Sequence, residues 1–211
     1  RTLSRGPVVR AAALGLFGAL ALAACGDDAT RAGERSDRLA TLPIAAGSVT
    51  TSGISAGGYM AVQFHVAHSS LVSGVGVVAA GPYYCAENSL RHALGRCMKG
   101  DEPIAVDELA GLTSEFALAG RIDPIANLAN DRVWIFHGGA DPVVAKPVVD
   151  ALQAYYELFV NPDGVQRNEL ADAGHTFPAA AKGLQDCGKT ETPFVGSCGF
   201  DGARQMLEHL Y

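Results

Sequence analysis

Between residues 49 and 211 the apolar positions change period several times, and each change predicts an element. Residues 49–54 form a short β-branched run, residues 73–80 (SGVGVVAA) and 132–137 (RVWIFH) are apolar runs bounded by turn residues, and residues 165–170 are expected to form a last strand. Apolar runs of this length are what strands buried on both faces show. Between them the spacing becomes helical. Residues 57–68 place Met60, Phe64 and Ala67 on one side, and Pro147 suits the first turn of a helix carrying Val148, Leu152, Tyr155 and Phe159. A last helix is expected over residues 200–210. Buried strands alternating with helices predict an α/β fold, a mostly parallel sheet with helices on both faces.

The first 24 residues follow another pattern. Arg1, Arg5 and Arg10 lead into residues 11–24 (AAALGLFGALALAA), an uncharged run too short for a hydrocarbon core, which needs roughly 20 residues. A basic lead before a short apolar run predicts an export signal. It ends in Leu22-Ala23-Ala24-Cys25, which resembles the lipobox of bacterial lipoproteins. That resemblance implies a lipidated Cys25 that holds the mature protein to a membrane surface of the cell envelope. Cleavage after Ala24 with Cys25 incidental, giving a secreted protein, is the alternative. The predicted organisation is a signal at residues 1–24, a cysteine-headed tether of charged and small residues at 25–45, and a folded body at 46–211.

Composition narrows the function. With 48% hydrophobic and 18% charged residues the chain has a globular ratio. Its formal charge of -6 becomes -9 without residues 1–24, which hold three arginines and no acid. Such a body offers no basic field to a phosphate backbone, so no nucleic-acid partner is expected, and an enzyme or a small-ligand binder is. Cys85, Cys97, Cys187 and Cys198 are an even set in an exported chain, which points to disulfides. Three pairings are possible. The two local ones, Cys85 with Cys97 and Cys187 with Cys198, are favoured because each closes a short loop worth about 3 kcal/mol. Neither pair has the spacing of a zinc knuckle, so no metal is expected.

The sharpest chemical signal is Gly53-Ile54-Ser55-Ala56-Gly57, set where a strand should turn into a helix. G-x-S-x-G in that context is the nucleophile elbow of α/β-hydrolases. The turn strains the backbone at its serine and folds back so closely that neighbours must lack side chains, room that Gly53, Gly57 and Gly58 supply. It also aims the Ala56 N–H at the hydroxyl as half of an oxyanion hole. Serine needs a base, and the base a carboxylate. In this fold the acid comes next and the histidine last, each in a loop after a strand. Asp141 follows the strand at 132–137, and His175 lies in the loop after the strand at 165–170. Among rival acids, Asp123 follows no strong strand, Asp163 sits in an Asn-Pro-Asp-Gly turn, and Asp172 is too near His175. His65 and His68 read as partly buried or surface residues, and His92 and His209 as exposed. His137-Gly138-Gly139 reads as a strand-end turn rather than an oxyanion loop. Trp134 reads as core packing, while Tyr83 and Tyr84 are candidates for a substrate cleft.

The runs GISAGGYMAVQFHVAHS, GVGVVAAGPYYCA, VWIFHGGADPVV and AGHTFP resemble the catalytic domain of poly(3-hydroxybutyrate) depolymerases, especially the single-domain, circularly permuted type. The resemblance covers residues 48–211. It implies an α/β-hydrolase fold, a serine esterase without metal or organic cofactor, and an aliphatic polyester or its oligomers as substrate. Ser55 would be the nucleophile, His175 the base and Asp141 the orienting acid. A feruloyl or acetyl esterase shares the same elbow and triad, because substrate choice lives in loops. A non-catalytic hydrolase-like binding protein is the third reading. Only 29 residues separate Cys25 from Ser55, room for one strand where ordinary α/β-hydrolases have several. In permuted depolymerases those strands follow the histidine. The expectation is therefore a partial catalytic domain, with C-terminal strands and a few N-terminal residues outside this sequence.

Overall fold

The apolar runs form a four-stranded, all-parallel sheet in the computed structural model, which describes residue 45 and residues 47–211. The export signal, Cys25 and all of the tether but Ala45 lie outside the described residues. Strands β1 (Val49–Ile54), β2 (Val72–Val78), β3 (Arg132–Gly138) and β4 (Val165–Leu170) lie side by side in that order. The register sets Ile54 opposite Val78, Val78 opposite Phe136 and Gly138 opposite Leu170, so the strands finish along one rim.

Parallel neighbours need long crossovers, and helices provide them. Helix α1 (Ala56–Ala67) joins β1 to β2, α2 (Leu90–Leu94) and α3 (Val106–Leu118) lie between β2 and β3, and α4 (Lys146–Glu157) leads to β4. Beyond β4, three short strands form a second parallel sheet. These are β5 (Phe177–Ala179), β6 (Gln185–Asp186) and β7 (Val195–Ser197), in the order β5-β7-β6, and α5 (Gly202–Leu210) follows them.

The inner strands β2 and β3 are buried along nearly their whole length, as their apolar runs predict. Gly74 and Gly76 make room for α5. A Cβ at Gly76 would strike Met206, and one at Gly74 would lie 3.1 Å from Leu210. Val75 and Val77, one position on, face the other side of the sheet. Trp134 is fully buried and packs beside Phe136, ring centroids 6.2 Å apart. Burial of Phe136 and Leu152 contributes about 1.5–3 kcal/mol each. Both local disulfides form, Cys85–Cys97 and Cys187–Cys198. No helix among the described residues is long and apolar enough to cross a membrane.

Helix α1 turns differently from its expected face. Met60 and Phe64 are 66% and 40% exposed, and the helix buries Gly58, Ala61, Val62, His65 and Val66 instead. Its apolar residues lie on more than one side, so periodicity alone does not choose between faces. His65 is fully buried rather than partly buried or on the surface, because polar partners travel in with it. Its Nε2 lies 3.0 Å from Asp131 Oδ2 and its Nδ1 3.0 Å from the Tyr156 hydroxyl. His92 and His209 are half-buried, not exposed, and His209 Nε2 bonds the Gly164 carbonyl at 2.9 Å.

Candidate active site

The elbow at the end of β1 is built by contacts that only glycine tolerates. Ser55 has φ 56° and ψ -124°, an unusual conformation for a residue with a side chain. Its N–H donates to the Val78 carbonyl at 2.9 Å, pinning the turn to β2, and its carbonyl accepts the Tyr59 N–H at 2.9 Å as α1 begins. A Cβ on Gly53 would run into the backbone of Gly57, and one on Gly58 would lie 3.0 Å from the Ala80 side chain. Gly57 differs from its expected role: a Cβ there meets nothing within 4 Å. The Ser55 side chain makes no capping bond to α1. Ala56 opens the helix, where backbone N–H groups have no intrahelical acceptor.

Two further loops meet at the same rim. Gly138 and Gly139, at the end of β3, press against the turn after β4. A Cβ on Gly138 would strike the carbonyls of Ala173 and Gly174, and Gly139 N–H donates to the Leu170 carbonyl at 2.8 Å. The His137-Gly138-Gly139 segment is thus a strand-end turn, and its glycines let the acid loop and the histidine loop touch. Asp141 Oδ1 accepts the N–H groups of Val143 at 2.7 Å and Val144 at 3.0 Å. That leaves Oδ2 for His175, whose Nδ1 donates to it at 2.7 Å. Burial pushes the Asp141 carboxyl up, but the bonds from His175, Val144 and Val143 outweigh it and hold the group below its ordinary value.

The histidine loop is braced from behind. His175 N–H donates to Thr190 Oγ1 at 2.9 Å and Gly174 N–H to the Cys187 carbonyl at 2.9 Å. Both acceptors belong to the loop that the Cys187–Cys198 disulfide closes. Nδ1 is spent on Asp141, which leaves Nε2 as the other ring nitrogen of a residue that lines a cavity of about 230 Å³ together with Ser55, Ala56, Ile54 and Phe194. Ser55 and His175 thus border one cavity, and Asp141 is bonded to His175. A hydroxyl, an imidazole and the first residue of a helix lining one cavity form a set that can carry out acyl transfer.

Other candidates fall elsewhere. Asp123 accepts from the N–H and hydroxyl of Ser70, and Asp163 lies in a 3-10 turn whose carbonyl accepts from Arg132. Tyr83 is packed in the core. Tyr84 lines a separate cavity of about 340 Å³ with Tyr59, Gln63 and the Cys85–Cys97 disulfide, so neither tyrosine borders the Ser55 cavity. Phe194 was absent from the sequence candidates. The signal available was that it is the sole aromatic residue inside the segment bounded by Cys187 and Cys198. Among the described residues no cluster of three or more His, Cys, Asp or Glu side chains could hold a metal ion.

A poly(3-hydroxybutyrate) depolymerase of Delftia acidovorans is 42% identical over 204 residues, covering 96% of this chain and 40% of the relative. The chain is a homologue of the poly(3-hydroxybutyrate) depolymerases. A polyhydroxybutyrate depolymerase of Talaromyces funiculosus is 34% identical over 167 residues, covering 78% of this chain and 48% of the relative. The fold agrees. The crystal structure of the depolymerase from Penicillium funiculosum superposes with a TM-score of 0.71 at 30% identity, over 79% of this chain and 52% of that one. A depolymerase structure with serine replaced by alanine, complexed with an R3HB trimer, gives the same figures. No protein-family model matches the chain. The sheet is α/β-hydrolase-like, and the chain spans about half the length of the depolymerases it matches.

Proposed function

We propose that this chain carries the catalytic elements of a serine esterase that hydrolyses the ester bonds of poly(3-hydroxybutyrate) or its oligomers. The observation that carries the reading is the meeting of Ser55, His175 and Asp141 at one rim of the sheet in a homologue of depolymerases. Ser55 Oγ attacks the ester carbonyl while His175 Nε2 takes its proton, and the Ala56 N–H faces the developing oxyanion. Asp141 holds the imidazole in the tautomer that can accept and stabilises the imidazolium that results. As the tetrahedral intermediate collapses, His175 returns the proton to the departing alkoxide, leaving an acyl-Ser55 ester. Water, deprotonated by His175, then releases the acid. The test uses the full-length protein on poly(3-hydroxybutyrate) agar. Wild type clears a zone and Ser55→Ala does not; equal clearing by both removes Ser55 from the reaction, and p-nitrophenyl ester hydrolysis without clearing gives the protein another ester substrate.

The location belongs to the same proposal. Two disulfides fit an oxidising compartment. Residues 1–24 would be the export signal, Cys25 the lipidated anchor and residues 25–45 the tether to the catalytic body. Metabolic labelling with palmitate tests the anchor: label in the wild type that Cys25→Ser abolishes is expected, and an unlabelled wild type overturns it.

A further inference from the structure

His175 serves two partners in turn, and that duty decides which half of an ester lies beside it. Having accepted the Ser55 proton, the imidazole delivers it to the departing alkoxide, so the alcohol half must lie against His175. The carbonyl oxygen points instead to the Ala56 N–H. Phe194 flanks the imidazole on the cavity wall. Its ring centroid is 6.1 Å from that of His175, the planes are 80° apart, and it borders the same cavity as Ser55.

Phe194 is held there against two ordinary preferences. It keeps a large apolar side chain 38% exposed, and its φ of 58° is a left-handed conformation that aromatic residues adopt only under constraint. The constraint is visible. Its N–H donates to the Glu191 carbonyl at 2.7 Å, its carbonyl accepts the Phe177 N–H at 2.8 Å, and the Cys187–Cys198 bond closes the loop around it. An apolar ring fixed in a strained pose beside a base is a surface waiting for an apolar group.

We propose that Phe194 is a specificity-determining residue for the alcohol half of the ester, packing against the branched carbon of a secondary alkyl leaving group. The inference rests on the esterase reading and adds to it. In poly(3-hydroxybutyrate) each ester oxygen is attached to a carbon that bears a methyl group, and that branch is what the ring meets.

The test compares full-length wild type, Phe194→Ala and Phe194→Leu on two butyrate esters, methyl and 2-butyl, and on methyl acetate and methyl octanoate. Both butyrates form the same butyryl-Ser55, so their kcat/KM ratio reports the alcohol side alone. Phe194→Ala is expected to lower kcat/KM for the 2-butyl ester about tenfold relative to the methyl ester, while the acetate-to-octanoate series keeps its proportions. Phe194→Leu, still apolar, keeps most of the wild-type 2-butyl to methyl ratio. An unchanged 2-butyl to methyl ratio in Phe194→Ala, or a shift in the acyl series instead, overturns the proposal. A folded wild type that hydrolyses none of these esters and clears no polymer overturns the esterase reading itself, a distinct result.

Discussion

His175 Nδ1 donates to Asp141 Oδ2 across 2.7 Å although 34 positions separate the two in sequence. The Asp141 side chain is fully buried and its other oxygen is occupied by two backbone N–H groups, so the carboxylate has one free edge and the imidazole takes it. Asp141→Asn keeps the volume but lets the amide donate to Nδ1, which moves the imidazole proton to Nε2 and removes the base. On the proposed mechanism, kcat of the full-length protein is expected to fall about 10^3 to 10^4-fold with KM little changed. Steady-state kinetics on a soluble butyrate ester check this; a loss below tenfold would mean that Asp141 does not orient the base.

The same bonds make stability depend on pH. The Asp141 carboxyl is held below its ordinary value in the folded protein, so its contribution is present above the unfolded value of about 3.9 and is lost as pH falls through the lower folded value. Thermal melts between pH 7 and pH 2.5 should show wild type losing Tm more steeply than Asp141→Asn below about pH 4. Parallel curves would contradict the assignment.

The two glycines of the elbow should respond oppositely. Gly53→Ala drives a methyl into the Gly57 backbone and is expected to destabilise by about 1–3 kcal/mol or more. Gly57→Ala meets open space on an exposed helical turn and should be neutral or stabilising by up to about 1 kcal/mol. Urea unfolding of both variants separates them, and equal destabilisation would contradict the close approach at Gly53.

The disulfides should separate stability from turnover. Each closes a loop of similar length, at separations of 12 and 11 residues, so replacing either pair by alanine should cost about 3 kcal/mol. Only the Cys187–Cys198 loop braces His175, through Thr190 and Cys187. Losing it should also lower kcat by about tenfold to 100-fold, while loss of Cys85–Cys97 leaves kcat near wild type. Equal effects on kcat would mean that the Cys187–Cys198 loop does not brace His175.

The strands, and the positions of Ser55, Asp141 and His175 after them, were legible because each rests on a local signal. Residues 49–54 carry a strand signal and form β1 over those same positions, and Ser55, Asp141 and His175 follow the ends of β1, β3 and β4. The facing of α1 was not legible: Met60 and Phe64 share the helical period of buried residues, and only the packed sheet reveals that Ala61, Val62 and Val66 turn inward. His65 escaped for the same reason, since its partners Asp131 and Tyr156 lie 66 and 91 positions away. Strands β5, β6 and β7 are two or three residues long, too short to carry a period, and pair around a disulfide loop. Phe194 joined the cavity by that same non-local route.

In the proposed mechanism Ser55 owes its nucleophilicity to His175. Peptide mass mapping of the full-length protein after exposure to diethyl p-nitrophenyl phosphate tests it directly, because the reagent phosphorylates an activated serine. One diethylphosphoryl adduct is expected, on Ser55, lost in His175→Ala. An adduct on Ser55 that forms as fast in His175→Ala, or a folded protein left unmodified at Ser55, would contradict it.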